Sequence, residues 1–353
     1  MSFRTRRVLF ITPFYMLFEF FLLKYIFLLI GGMEETYLLV LTLLVGLNHF
    51  IPMLFEAKKS RRITRFLTTI DGVWMWASVM FLIDILAVYS LGCFIKLTVW
   101  ANILFLAFVP ILGIYNYFKA HNLVVNEKTI ELEDLSKEIS IAHLSDVHFG
   151  SVRHKKIIQD IADKLNTLDC DLAIISGDLA DGSSVVCEDD FLAFKSVRMP
   201  IFFTPGNHDF YPGIENVIGA CKKAGINVLD NQSAQFENLN IYGLTFSFSD
   251  RTTPKLDGSL IKNGMVNVIN YHVPYYWEDF SNLGFDIQLS GHTHGGQFYP
   301  VVWFGNLMFK YNKGLFKNKL GKYIHVTTGV GSMDTPMRWG TDSEIVVLRL
   351  RKP

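Results

Sequence analysis

Gly291-His292-Thr293-His294-Gly295-Gly296 sets two imidazoles one residue apart between glycines, a combination with few structural uses. In an extended segment the side chains of residues i and i+2 leave the backbone on the same side, so His292 and His294 could reach neighbouring points of one cleft. Glycine on both flanks lets the chain turn sharply and lets a ligand come close to the backbone. Taken alone, the stretch reads equally well as a polar turn with two exposed histidines. Its setting points to metal, because His272 and three earlier Asp/His/Asn clusters each follow directly on an apolar run.

Those runs are short, β-rich and separated by helical stretches, the pattern of a layered α/β domain. Ile139 to Leu144 reads as a buried strand that leads into Ser145-Asp146-Val147-His148, followed by a helix near Lys155 to Leu168. Leu172 to Ile175 leads into Ser176-Gly177-Asp178-Leu179-Ala180-Asp181. A helix near Asp189 to Ser196 precedes Pro200 to Thr204, which leads into Pro205-Gly206-Asn207-His208-Asp209. Met265 to Tyr271 ends at His272, and Phe285 to Leu289 ends at the quoted motif. Groups at the carboxyl ends of strands line the ligand crevice of open α/β sheets, so five strand ends are expected at one mouth. Each cluster separately could be a turn, since Asp, Asn and Gly favour turns. Five in order argue for a site.

Asp146, His148, Asp178, Asn207, His272, His292 and His294 combine hard oxygen donors with imidazole nitrogen. That set suits Mn²⁺, Fe or Zn²⁺ better than Ca²⁺, and the lack of cysteine argues against structural zinc. Seven ligands are too many for one catalytic ion and suit two divalent ions, about 3.5–4 Å apart, that share a carboxylate.

The order Asp-x-His, Gly-Asp-x-x-Asp, Gly-Asn-His-Asp, His, Gly-His-x-His resembles the calcineurin-like metallophosphoesterases over roughly residues 139 to 350. The resemblance implies an αββα sandwich and metal-dependent phosphoester or pyrophosphate hydrolysis. It also implies roles: Asp146, His148 and His294 on one ion, Asp178 bridging, and Asn207, His272 and His292 on the other. His208 matches the family's acid or transition-state donor, and Asp209 and Asp181 look like partners that orient it. Two ions, most readily Mn²⁺, are the implied cofactors. The segments Gly291 to Gln297, Gly329-Val330-Gly331 and Pro336-Met337-Arg338 are similar to a bacterial membrane-attached branch. That branch commonly continues with Pro-Pro-Glu-Ile, where this chain has Asp342-Ser343-Glu344-Ile345. Arg338 is a candidate bidentate phosphate ligand or a surface arginine. Arg153, with His154, Lys155 and Lys156, is a candidate seat for a diphosphate or the solvated start of a helix.

The first third of the chain is different in kind. Of the 353 residues half are hydrophobic, 30 are Phe, and mean hydropathy is +0.27. Four apolar segments, at residues 8–30, 37–55, 70–91 and 94–118, are long enough to span a hydrocarbon core of about 30 Å. The first is too long for a cleaved signal and lacks a small-residue exit. A polar link over 121–138 joins this domain of residues 1–120 to the α/β domain of 139–353. Net charge is zero, yet residues 1 to 120 hold 11 Lys/Arg against 6 Asp/Glu and the remainder 22 against 27. A basic apolar third suggests the bilayer as partner, and the mildly acidic remainder argues against nucleic acid. No obligate protein partner is indicated. The four cysteines have no C-x-x-C or disulfide-like spacing and read as free thiols.

Arg4, Arg6 and Arg7 before the first span, and Lys58, Lys59, Arg61, Arg62 and Arg65 after the second, place both segments in the cytoplasm, with Glu34 and Glu35 outside. Four spans then leave the α/β domain cytoplasmic, on a bacterial inner membrane; three spans would put it outside. Glu19 and Lys24 within the first span read as a self-neutralising pair, or else with Asp84 as part of a polar path. Trp303, Phe304, Leu307, Met308 and Phe309, followed by Lys310, Lys313, Lys317, Lys319 and Lys322, suit either an interfacial segment at anionic lipid or an insertion at the sandwich edge. A membrane domain fused to a hydrolase is most useful for a lipid substrate. Similarity to UDP-2,3-diacylglucosamine diphosphatases of lipid A synthesis implies cleavage to UMP and 2,3-diacylglucosamine 1-phosphate. Another phospholipid, a prenyl diphosphate or a phosphoprotein are alternative substrates, and a membrane sensor or transporter with a ligand-binding domain is the non-enzymatic alternative.

Overall fold

The structure, a computed structural model, describes residues 3–56, 58–248 and 254–353. The chain divides into two compact units: Met1–Lys119 with Ser183–Val185 and Asp334–Met337, and the remainder from Ala120 to Pro353.

The first unit is built on α1 (Phe3–Leu29), α2 (Glu35–Glu56), α3 (Arg62–Gly92) and α4 (Val99–His121). All four are long and apolar enough to cross a membrane. Large apolar side chains such as Phe10, Leu44, Leu86 and Leu104 point outward, as lipid-facing residues must. Two boundaries differ from expectation. Helix α3 starts at Arg62 rather than residue 70, so Arg62 and Arg65 belong to its first turn. Helix α4 starts at Val99, leaving Phe94 exposed before it. The side chains of Arg4, Arg6 and Arg7 lie outside the described residues.

Glu19 does not pair with Lys24. Five residues along a helix rotate the side chain by about 140°, so the two leave on different faces. Glu19 is fully buried and accepts hydrogen bonds from Ser78 Oγ at 2.8 Å and Trp74 Nε1 at 2.9 Å. Lys24 lies 3.8 Å from Glu35 instead. Burying that carboxyl without partners would be costly, and the α3 donors remove most of the penalty.

The second unit contains β1 (Leu123–Glu131), β2 (Ile139–Leu144), α5 (Lys155–Leu165), β3 (Leu172–Ile175), β4 (Ile201–Phe203), α6 (Ile214–Lys223), β5 (Asn227–Val228), β6 (Gln232–Phe236), β7 (Leu239–Leu244), β8 (Val266–Tyr271), α7 (Trp277–Leu283), β9 (Ile287–Ser290), α8 (Val301–Met308), β10 (Gly314–Lys317), β11 (Tyr323–Val326) and β12 (Ser343–Arg351). One sheet has the order β1-β12-β2-β3-β4-β5 and the other β10-β11-β9-β8-β7-β6.

Alternate residues of each strand serve different layers. From β2, Ile139 and Ile141 join Leu172, Ile174, Leu239, Ile241, Val268, Ile287 and Leu348 in a core between the sheets. Ala142 and Leu144 face the other way, onto Ile157, Ile158 and Ile161 of α5 and Val217 and Ala220 of α6. Behind the second sheet, Ile269 and Tyr271 pack with Phe280 of α7. Strands covered on both faces read as largely apolar runs, which is why these were visible in the sequence.

Others were not. Strand β1 occupies the stretch expected to be a link and pairs in parallel with β12. It is an edge strand with an exposed charged face, on which Glu127 and Glu131 accept from Arg349 and Arg351. Such a pattern resembles a linker. The helix expected over 189–196 is a 3₁₀ turn at Leu192–Ser196, and the one expected to reach Leu168 ends at Leu165.

Leu348 is fully buried between the sheets. Leu348→Ala should therefore cost about 2–5 kcal/mol and lower the thermal midpoint of the α/β unit, followed by tryptophan fluorescence of the detergent-solubilised protein. The exposed Lys156→Ala should leave it in place.

Candidate metal centre

Strands β2, β3 and β4 are mutually parallel, as are β8 and β9, so within each sheet their carboxyl ends lie on one edge. The segments leaving those ends carry all seven expected ligands. Asp146, His148 and His294 come together in one group, and Asp178, His272 and His292 in a second. In the first, His148 Nε2 and His294 Nε2 are 3.0 Å apart, and they lie 3.7 and 3.4 Å from Asp146 Oδ1. In the second, His272 Nε2 is 3.0 Å from Asp178 Oδ2, while His292 Nδ1 is 3.3 Å from His272 Nε2 and 3.1 Å from Asn207 Oδ1. Asp178 Oδ2 is also 4.0 Å from His148 Nε2. It stands between the groups, where a shared ligand would be needed.

The expected extended geometry of the His-Thr-His stretch is not found. His292 and His294 have φ of 72° and 49°, and His294–Gly296 forms a 3₁₀ turn. That turn sends the imidazoles into separate groups. Asp146, His148 and Asp178 also have positive φ, of 51°, 50° and 53°. Non-glycine residues held there cost of order 1–3 kcal/mol each, a concentration typical of a functional site. The strain is held by backbone bonds such as Asp146 N to Gly177 O and His148 N to Asp178 O, both 3.0 Å. Gly291 is required for a different reason: a Cβ there would collide with Ser145 Oγ and the Asp146 carboxylate.

These residues fit divalent cations. Asp146 Oδ1 is buried with no hydrogen-bond partner, while Oδ2 accepts from Ser145 Oγ and, at 2.9 Å, from His292 N. A buried carboxylate oxygen without a donor is expensive unless a cation completes it. Burial works against ionisation of Asp146 and Asp178, but the neighbouring histidine charges outweigh it and hold both below the usual carboxylate range. Burial lowers His292 to about 4 and His294 to about 3, so both present lone pairs at neutral pH. His272 differs. Burial opposes its protonation, but Asp178 and then Asp146 raise it to about 9 in the metal-free protein. Its Nδ1 donates to Ser176 O at 2.7 Å, which aims Nε2 at the centre.

His208 is partly exposed beside the centre, its ring 4.9 Å from that of His148. Its main-chain N–H donates to Asp178 Oδ1 at 2.8 Å, and Nδ1 is 3.1 Å from the main-chain oxygen of Asp181. The group at His208 Nδ1 is therefore the Asp181 main-chain carbonyl. Asp209 does not orient it: this buried carboxylate accepts from the backbone of Asp178, Ala180 and Gly206 at 2.8–2.9 Å and fastens the β3 and β4 loops together. Burial and the Asp178 charge raise Asp209 to about 7.

Arg338 fits neither of its two readings, and the segment of Arg153 follows its helix-start alternative. Arg338 is fully buried and gives its guanidinium to the carbonyls of Thr328, Gly329, Gly331 and Asp342. It braces a loop rather than presenting a fork to phosphate. Arg153 is also buried, with Nη1 donating to Ala120 O at 2.9 Å. Next to it Lys155 pairs with Asp190 and Lys156 with Asp160, as at an ordinary helix start.

Sequence reading missed a polar layer beneath the centre. His143 Nε2 meets Ser176 Oγ at 2.7 Å, His143 Nδ1 meets His325 Nδ1 at 2.7 Å, and Ser176 Oγ donates to Asn270 Oδ1 at 2.5 Å. Asn270 Nδ2 in turn donates to Thr204 Oγ1 at 2.9 Å. The available signal was a polar residue near the end of each apolar strand, His143 in β2 and Asn270 in β8.

Comparison with known proteins agrees with this geometry. The calcineurin-like phosphoesterase family model matches residues 139–296. An uncharacterised metallophosphoesterase of Aquifex aeolicus is 30% identical over 259 residues, 68% of this chain and 97% of that protein. One from Helicobacter pylori is 30% identical over 234 residues, 64% of this chain and 63% of its own length. A transmembrane protein with metallophosphoesterase domain from Danio rerio is 26% identical over 267 residues, 70% of this chain and 61% of that one. The chain belongs to the calcineurin-like phosphoesterase family, and it spans less than two thirds of the Helicobacter and Danio relatives. Four candidate membrane helices and a transmembrane relative together mark it as a membrane protein.

A cation held by His272 Nε2 must displace the proton that Asp178 favours there. Metal uptake should release at least one proton below pH 9, and apparent affinity should rise about tenfold per pH unit between pH 6 and 8, flattening above 9. Calorimetric titration with Mn²⁺ in two buffers of different ionisation enthalpy checks this.

Proposed function

We propose that this chain is a membrane-anchored phosphohydrolase that uses two divalent cations to cleave a phosphoester or diphosphate bond in a lipid-borne substrate. The observation that carries the reading is the pair of adjoining ligand groups with Asp178 between them. Asp146, His148 and His294 would hold one ion, Asn207, His272 and His292 the other, with Asp178 common to both. Bound there, the cations supply positive charge for phosphoryl oxygens and acidity for a nucleophilic water. Mn²⁺ is the first candidate, and Fe or Zn²⁺ would satisfy the same donors.

The protein's part is positioning and proton handling. His208 stands partly exposed at the mouth beside both groups, placed to donate a proton to the leaving oxygen or a hydrogen bond to a non-bridging one. With Nδ1–H directed at the Asp181 carbonyl, the proton for that role would be carried on Nε2 of the doubly protonated ring. Asp209 acts indirectly, by locking the backbone that presents Asp178 and Asn207.

The substrate is read as UDP-2,3-diacylglucosamine, cut to UMP and the lipid monophosphate. Its support is the motif resemblance and the fusion to four apolar helices. The α/β unit is placed on the cytoplasmic side of a bacterial inner membrane. Support for this comes from the basic stretch Lys58 to Arg65, which runs from the link after α2 into the first turn of α3, and from Glu34 and Glu35 at the start of α2.

Detergent-solubilised protein should release UMP from UDP-2,3-diacylglucosamine only with Mn²⁺ or a substitute. Asn207→Ala or His292→Ala should abolish turnover, and His208→Ala should lower it by roughly 10²–10⁴-fold. Turnover in chelated buffer would overturn the dimetal reading; hydrolysis of another phosphorylated lipid without UMP release would correct the substrate alone. A reporter fused after Pro353 should report the cytoplasm, and a periplasmic signal would remove the four-span topology.

A further inference from the structure

Helix α8 is amphipathic the wrong way round for a soluble surface. Val302 and Gly305, three residues apart, face inward and are buried. Trp303, Phe304, Leu307 and Met308 face outward and are 63%, 58%, 83% and 74% exposed. Of the ten exposed large apolar side chains among the described residues of the α/β unit, five lie on these eight residues, counting Val301. Isolated exposed apolar residues are ordinary, but a contiguous set on one helix face marks an interaction surface.

The nearby charges say what that surface meets. Lys310 pairs with Glu278, and Lys322 with Asp286. Lys313 donates to Gly340 O, and Lys317 sits over the Tyr323 ring. Four of the five lysines after α8 are thus engaged within the domain, so the surface offers hydrocarbon contact more than charge. An interfacial helix that buries tryptophan, phenylalanine and leucine at the headgroup boundary has this character. The same polypeptide carries four helices able to span a bilayer, which supplies that boundary.

Helix α8 is also mechanically continuous with the metal centre. Val302 N donates to Phe298 O and Phe298 N to Gly296 O, immediately after His294. A Cβ on Gly296 would run into the Val302 backbone. At the other end, Thr293 Oγ1 donates to Asn312 O at 2.5 Å, and the Phe309 ring stands edge-on to His292 at 5.9 Å. The exposed face is therefore clamped to both ends of the His292–His294 segment.

We propose that α8 inserts its Trp303/Phe304/Leu307/Met308 face into the hydrocarbon boundary of the bilayer, setting the His292 side of the metal centre at the membrane surface. The occupant is the lipid surface itself, and insertion is driven by apolar burial with little requirement for anionic lipid. The part concerning delivery of a lipid-borne phosphoester rests on the function proposed above; insertion does not.

The test uses the full chain in phosphatidylcholine vesicles, with Cys93, Cys170 and Cys187 changed to serine and Cys221 to alanine. An environment-sensitive fluorophore is placed at Leu307→Cys, or at Lys156→Cys on α5 as the solvent control. The Leu307 probe should be quenched by doxyl-labelled lipid and shielded from iodide, with the Lys156 probe showing the reverse, and adding anionic lipid should change little. A Leu307 probe as accessible to iodide as the control overturns the proposal, including in favour of a protein partner for that face. The probe reads depth and not turnover, so this outcome is separate from failure of the hydrolase reading. In the otherwise native chain, Leu307→Glu with Met308→Glu should lower the ratio of lipid-substrate to soluble phosphodiester turnover at least tenfold. An unchanged ratio overturns delivery.

Discussion

The Asp178 carboxylate is the interaction on which the α/β unit turns. One oxygen accepts the main-chain N–H of His208 and the other faces His272 Nε2 at 3.0 Å, with His148 Nε2 at 4.0 Å. A nearly fully buried carboxylate can remain ionised only if positive charge or donors surround it. Loops from β2, β3, β4, β8 and β9 converge to provide them. The resulting backbone is strained, with five of the seven ligands at positive φ, and the strain persists because Asp209 ties three of its main-chain N–H groups.

Beneath the centre the structure passes from apolar to polar in one layer. Ile139, Ile141, Ile174 and Leu348 fill the space between the sheets, and His143, Ser176, Asn270, Thr204 and His325 close it below the ligands. Burial lowers the pKa of both His143 and His325, the latter to about 4, so the layer is neutral at pH 7. A satisfied neutral network fixes orientation without adding charge beneath the candidate metal centre. The Ser176 carbonyl then sets His272, joining this layer to the ligands.

Arg338 and the α8 segment show how easily charge and hydropathy mislead when position is unknown. An arginine near the end of the α/β domain looks like a phosphate ligand, yet here its two terminal nitrogens are spent on four carbonyls and Thr341 Oγ1. Lysines after an apolar stretch look like an anionic-lipid patch, yet most are paired inside the domain. Glu19 and Lys24 are close in sequence but belong to different helix faces. The donors to Glu19 lie far along the chain, and the carbonyls around Arg338, though near in sequence, are gathered by irregular loop backbone; spacing alone reveals neither.

Much of the fold and the residues that cluster as candidate ligands were nevertheless legible from residue order. Strands buried on both faces leave largely apolar runs, and crevice-lining groups follow their carboxyl ends, so β2, β3, β4, β8 and β9 and the seven polar residues after them could be read directly. Four long apolar runs could be read the same way, because length and composition decide whether a helix can span a bilayer. Strands β1, β5, β6 and β10 were not legible because short or exposed strands lack a periodic signature, and the buried β7, β11 and β12 escaped notice because none of them leads into an Asp/His/Asn cluster. The motif resemblance already assigned His292 and His294 to different groups, but only tertiary structure supplied the means: a left-handed turn, rather than their one-residue spacing, determines where each imidazole points.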